Sequence, residues 1–143
     1  MDNNNLSPGK KAKNTGIWAK TMTKWFITYS SKNWKKWHFV SFEGKNKGES
    51  RGVVDFIAIR RDQHLKKEPL MRGDLFEIIL FQVKGGSAPE PTEAERIRLR
   101  KVRNYYKAKN VILSSWQKGK KPKFKYLGKT DWMILENLDE IFK

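Results

Sequence analysis

Two stretches decide the fold: GVVDFIAIRRD at residues 52–62 and DLFEIILFQVK at residues 74–84. Each is apolar at consecutive positions rather than at alternating ones, the pattern of a strand covered on both faces. A polar segment containing Pro69 and Gly73 separates them, which predicts a hairpin with a long loop. If Arg61 stands opposite Phe76 in an antiparallel pair, Asp55 falls opposite Gln82 and Arg60 opposite Glu77. Opposed residues share a face, and Gln82 and Lys84 share one by period two. Asp55, Gln82 and Lys84 then converge at one end of a face whose remainder, Ile57, Ile59, Ile78 and Leu80, is apolar. An acid at that rim escapes full burial yet is held by rigid strands, a placement that suits a site.

Outward from this pair, PTEAERIRLRKVRNYYKAKN at 91–110 predicts a helix, because Thr92 and Glu95 have capping-box spacing and Pro91 precedes them. Ile97, Val102, Tyr105 and Tyr106 form its apolar arc, and Arg96, Arg98, Arg100, Lys101 and Arg103 occupy the rest. NVILSSW reads as a further strand, and QKGKKPKFKYL as a turn and strand with five Lys in residues 118 to 125. The end, TDWMILENLDEIFK, fits either a strand plus a short helix or one helix. Toward the N-terminus, WHFVSFEG predicts a strand and GKNKGES a Gly-rich basic loop. From Thr15 to near Lys32, Trp18, Met22, Trp25, Phe26 and Tyr29 fall on one stripe at helical spacing and read as the packed face of an amphipathic helix. The polar residues 1–15 read as a flexible basic arm, and 16–143 as a single domain. The fold class is therefore α/β, an αβββαβ core with a mixed β-sheet flanked by helices.

Composition narrows the function. With 31 Lys plus Arg against 15 Asp plus Glu, the formal net charge is +16, which repels itself in the folded state and attracts polyanions, nucleic acid foremost. No cysteine is present, so disulfides and thiolate metal sites are excluded. Two histidines, His38 and His64, argue against zinc and read as solvated or structural. No apolar run approaches the roughly 18 residues of a membrane span and the start has no signal-peptide core. The expected setting is soluble and cytoplasmic, with association to the nucleoid an option.

An acid in a hydrophobic strand, a second strand ending in x-Lys, then a helix and another strand resembles the PD-(D/E)XK, or restriction-endonuclease-like, nuclease superfamily. The match lies in GVVDFIAIR followed by FEIILFQVKGG, within an αβββαβ order over residues 16–117. The Gly-rich loop before RGVVDFIAIR is similar to that of small bacterial members. The resemblance implies hydrolysis of phosphodiester bonds with Mg²⁺ or Mn²⁺. Asp55 matches the metal-binding acid, Lys84 the catalytic lysine, and Gln82 stands where a second acid is usual, a Gln-x-Lys variant. The implied metal ligands are Asp55, the Gln82 amide oxygen, the Val83 carbonyl and Glu49. The acid that the superfamily carries in its first helix has no match, since residues 16–34 hold no Asp or Glu, so Glu49 or Glu43 would have to substitute.

The physical chemistry of these roles stands beside the resemblance. Mg²⁺ takes oxygen ligands and usually one or two carboxylates plus substrate phosphate, and a lysine beside it offsets charge developing on phosphoryl oxygens. Lys118, Lys120, Lys121 and Lys123, with Arg96, Arg100 and Arg103 on the helix, are the expected phosphate contacts. DNA is favoured over RNA, and the resemblance implies that two copies could pair to reach both strands of a duplex. Simpler readings exist for each residue: Asp55 as an acid at a strand edge paired with a cation, Gln82 bonded to backbone, Glu49 as a solvated ion partner. Glu77 is assigned to an ion pair with Arg60. Trp18, Trp25 and Phe26 are expected in the core, as are Trp34, Trp37 and Trp116, for which stacking on bases is the alternative, and the Gly85–Gly86 pair either admits phosphate to the backbone or is a plain strand exit. The competing functional reading is a catalytically inactive nucleic-acid-binding module on the same fold; a more distant one is a basic RNA- or ribosome-associated protein without a site.

Overall fold

The computed structural model describes residues 7–42 and 52–143. A helix α1 (Pro8–Ser30) leads through a 3₁₀ turn (Asn33–Lys36) into β1 (His38–Ser41), β2 (Phe56–Arg61) and β3 (Phe76–Gly85). Helix α2 (Glu93–Tyr106) then crosses to β4 (Asn110–Trp116), and β5 (Lys123–Leu127) and β6 (Trp132–Leu135) close the sheet before a 3₁₀ turn at Leu138–Glu140. The strands lie in sequence order, β1 to β6. Among the described strands β3 and β4 run parallel and the other neighbours antiparallel, α2 supplying the crossover that a parallel pair needs. The α/β class with a mixed sheet flanked by helices is what the sequence predicts, and the ambiguous C-terminal stretch resolves as strand plus short helix. Among the described residues no helix is long and apolar enough to cross a membrane.

The register of the central hairpin is the predicted one: Arg61 pairs with Phe76, Arg60 with Glu77 and Phe56 with Phe81. Alternation along these strands divides the core in two. Phe56, Ala58, Ile79, Phe81 and Ile112 point to one face, where Ile27 of α1 and the C-terminal Leu138, Ile141 and Phe142 cover them. Leu80, Val111 and Leu113 point to the other, beneath Leu99 of α2. Trp37 and Trp116 are buried as expected, and Phe26 packs on Phe124 with ring centroids 5.9 Å apart. The α2 capping box forms, Thr92 Oγ1 accepting from Glu95 N–H at 3.2 Å.

Helix α1 departs from expectation in two ways. It begins at Pro8 rather than near Thr15, so half of the stretch read as an arm is helical. Its packed face is also not the aromatic stripe: Ala19, Thr23 and Ile27 are buried, while Trp18, Trp25 and Tyr29 are 45%, 55% and 80% exposed. The cause is close approach. A Cβ placed on Gly85, at the end of β3, would fall 2.9 Å from Ala19 Cβ and 3.1 Å from the Thr15 carbonyl oxygen. Only small side chains fit so near the sheet, and Thr23 satisfies its hydroxyl there by bonding the Ala19 carbonyl and Ser114 Oγ, each at 2.7 Å. Gly85 thus serves packing rather than an unusual backbone angle. Gly85→Ala is expected to lift α1 and destabilise by about 1–3 kcal/mol, the usual cost of an added methyl in a full contact, read from the urea midpoint.

Candidate active site

Asp55 stands one residue before β2 and ties three strand segments together. Its N–H donates to the Phe81 carbonyl at 2.8 Å, its carbonyl accepts from Phe42 N–H at 3.2 Å, and its Oδ2 accepts from Val83 N–H at 2.6 Å. The carboxylate therefore replaces a strand carbonyl at the point where β2 has ended and β3 continues. That ties the side chain to β3 and leaves Oδ1 with the Lys20 ammonium at 3.8 Å, a partner on α1, the helix that covers the Phe56–Phe81 face, rather than on the Gln82–Lys84 face predicted for it. Burial pushes the Asp55 carboxyl up, against the Val83 N–H and the charges of Lys20 and Lys84, which pull it down.

Gln82 and Lys84 follow on the same face of β3, and both reach Glu95 in the first turn of α2. Gln82 Nε2 donates to Glu95 Oε2 at 3.0 Å, and Lys84 Nζ lies 3.5 Å from the same oxygen. Glu95 Oε1 turns back to the Thr92 N–H at 3.5 Å, so the carboxylate is shared between helix cap and site. Burial acts to raise Glu95, but the Gln82 amide, the Lys84 charge and the Thr92 N–H together outweigh it and hold the group below its ordinary value. Because a carboxylate can only accept, the Gln82 amide must present its nitrogen there. Its Oε1 is left buried without a hydrogen-bond partner, in a side chain 5% exposed.

The sequence-predicted set thus separates into parts. Gln82 and Lys84 meet at Glu95, and Asp55 lies at the same end of the sheet, gripped by the Val83 N–H and within electrostatic reach of Lys84. Glu49 and Glu43 lie outside the described residues. Lys120, Lys121 and Lys123 join Lys84, Ser115 and Trp116 around a hollow of about 140 Å³, while Lys118 is exposed on the turn beside it. The helix arginines go elsewhere: Arg96 pairs with Asp131 at 2.8 Å and Arg100 Nη2 donates to the Gly128 carbonyl at 3.4 Å, both on the β5–β6 turn, and Arg103 is half-buried in the last turn of α2. Glu95 is the residue that sequence reading assigned to a cap alone.

No protein-family model, curated protein or solved structure matches the chain. The chemistry of the site rests on its own geometry. One carboxylate and one buried amide oxygen without a partner are oxygen donors of the kind that hard divalent cations take. Another cluster, Asp62, His64 and Glu77, brings potential ligand atoms within 4.8 Å of one another at the far end of β2. Its charges are already met: Arg60 Nε holds Glu77 at 2.6 Å, as the register predicts, and Lys66 and His64 hold Asp62.

Proposed function

We propose that the chain is a metal-dependent nuclease, hydrolysing phosphodiester bonds of nucleic acid with Mg²⁺ or Mn²⁺, DNA in preference to RNA. The observation that carries this reading is the gathering of Asp55, Lys84 and the buried, unpartnered Gln82 Oε1 at one end of β3, where the Asp55 and Lys84 side chains are partly exposed. A divalent cation bound there would supply Lewis-acid charge to a phosphoryl oxygen and acidify water. Asp55 Oδ1 and Gln82 Oε1 are the atoms that would hold it. The Val83 N–H fixes the Asp55 carboxylate, and Glu95 turns the Gln82 amide oxygen away from itself. Lys84 would stand beside the phosphoryl group and offset its developing charge. Lys120, Lys121 and Lys123 continue the cationic surface along which a sugar-phosphate chain would lie.

A second reading, a binding module without catalysis, is favoured by the Lys20 ammonium beside Asp55, which would compete with a metal ion for Oδ1. The test is incubation with linear, circular, branched and single-stranded DNA and with RNA, in Mg²⁺ or Mn²⁺, for the parent and Lys84→Ala. Cleavage by the parent that Lys84→Ala loses while still binding supports the enzyme; binding without cleavage by the parent supports the module. Glu95→Gln keeps an oxygen for the cap but removes the charge that orients Gln82 and Lys84. It is expected to lower cleavage by about 10–100-fold, the usual cost of losing an outer-shell partner, with substrate binding in chelator unchanged.

A further inference from the structure

The end of the sheet opposite Asp55 holds a cleft of about 900 Å³, roughly 20 Å away by the rise of β2. Separate segments build it, among them the 3₁₀ turn after α1, the end of β2 with the loop that follows, the start of β3, the turn between α2 and β4, and Lys143. Ile59 and the half-exposed ring of Phe76 give it apolar surface, and Lys36, Arg61, Lys109 and Lys143 bring four cations to its walls. Glu77 is the one acid among the lining residues, and Arg60 Nε already holds it at 2.6 Å. Arg61 is itself held in place, its Nη1 donating to the Gly73 carbonyl at 2.9 Å and its guanidinium lying 5.6 Å from the centre of the Phe76 ring.

A concave site with an exposed ring, a fixed guanidinium and an unbalanced positive wall suits a ligand that is flat at one end and anionic at the other. Both Phe and Arg present faces on which a nucleobase stacks. A base within a duplex already has its faces covered by its neighbours, so only an unpaired base can use them. The volume lies toward the upper end of the ~300–1,000 Å³ usual for small-ligand pockets, enough for a nucleotide unit and too small for a double helix. We infer that this cleft is a second nucleic-acid contact, holding a nucleotide of an unpaired strand with its base against Phe76 and its phosphates on Lys36, Arg61 and Lys109. It extends the nucleic-acid part of the function proposed above and does not depend on cleavage.

The test is fluorescence anisotropy with a labelled oligothymidylate of roughly 12 nucleotides and with its duplex, using the full chain in chelator at low salt. The cleft variants are Lys36→Glu/Lys109→Glu and Phe76→Ala. A charge-matched control, Lys101→Glu/Lys129→Glu, lies outside the cleft and the Lys84 hollow. Single-strand binding is expected to weaken by about tenfold or more in the lysine pair and about fivefold or more in Phe76→Ala, with the control within about twofold of the parent. Duplex binding should not respond to Phe76→Ala. Single-strand binding by Phe76→Ala equal to the parent, or a control that falls as far as the cleft pair, would overturn the inference in favour of bulk charge. Should the lysine pair fail to fold, photocrosslinking of the parent to a 5-iodouracil oligonucleotide decides: a crosslinked peptide containing Phe76 supports the cleft, and crosslinks confined to the Lys120–Lys123 region reject it. Polyglutamate displacing the oligonucleotide as well as unlabelled strand does would also reject a nucleotide ligand. Absence of cleavage by the parent with this binding intact would reject the nuclease reading alone and leave the cleft standing.

Discussion

Asp55→Asn is expected to lower cleavage by about 10³-fold or more, equivalent to the several kcal/mol that a metal ion supplies to a phosphoryl transition state, and to leave the protein at least as stable at neutral pH. The asymmetry follows from the environment of the carboxyl. Its pKa is raised above the ordinary 3.8, burial outweighing the Val83 N–H, Lys20 and Lys84. A folded-state value above the unfolded one means that the group's stabilising contribution is complete below the unfolded pKa and is lost as pH rises through the folded one. Above its folded-state value the ionised carboxylate is therefore a net cost to the fold. Asparagine removes that charge while keeping an oxygen for the Val83 N–H, which would otherwise be left unsatisfied. Urea midpoints in chelator at about pH 4 and about pH 7 should show the variant gaining on the parent as pH rises. A gap moving the other way would mean that Lys20 and Lys84 hold Asp55 charged for stability, and the carboxylate would need no catalytic explanation. A charge that a neutral isostere would improve upon for folding is one that serves chemistry.

How far the sequence reached depends on which physical quantity carried each reading. The hairpin register was legible because period-two alternation penalises a slip of one residue by turning every apolar side chain to the wrong face. Once Arg60 lay opposite Glu77, Asp55 and Gln82 had to share an end. The α2 start was legible because a cap is local chemistry, settled by Thr92 and Glu95 alone. Helix α1 was not, because an aromatic stripe reports side-chain size whereas packing also depends on distance. The sheet end at Gly85 admits Ala19 and Thr23 only because they are small, and the larger Trp18 and Trp25 are displaced to the flank.

The same distinction runs through the site. Asp55, Gln82 and Lys84 belong to two neighbouring strands and could be placed by register. Glu95 could not, since its two oxygens answer to different neighbours: Oε1 to the cap and Oε2 to Gln82 and Lys84. A signal was present, however. The helix of a strand–helix–strand crossover begins at the carboxyl end of its strand, so a first-turn acid of α2 comes within reach of the last side chains of β3. Arg96 and Arg100 illustrate the opposite limit. Their cationic face was plain in the sequence, but their partners in the β5–β6 turn are long-range and left no trace in spacing.

Phe81→Ala is expected to cost about 3–5 kcal/mol, the range for deleting a fully buried ring, against a total stability of about 5–15 kcal/mol for a domain of this size. Phe81 has no exposed surface. Its ring lies parallel to Phe56 at 4.5 Å and to Phe142 at 6.2 Å between centroids, and Phe142 in turn meets Trp37 edge-on at 5.8 Å. The loss thus joins the transfer free energy of a large ring to a cavity that Phe56 and Phe142, held edge-on by Phe39 and Trp37, are too rigid to fill. Phe81→Leu retains most of the volume and should cost much less. Urea unfolding followed by tryptophan fluorescence separates the two through their midpoints, and an unchanged slope would show that the loss lies in the native core rather than in the unfolded chain. The backbone of the same residue accepts the Asp55 N–H at 2.8 Å, and Gln82 follows it directly. In Phe81→Ala at a temperature where the variant remains folded, cleavage should therefore fall further than the folded fraction does, because softening this ring stack loosens the strand that positions both candidate ligands. Cleavage that merely tracks the folded fraction would show that Asp55 and Gln82 are held by β3 independently of the aromatic core beneath them.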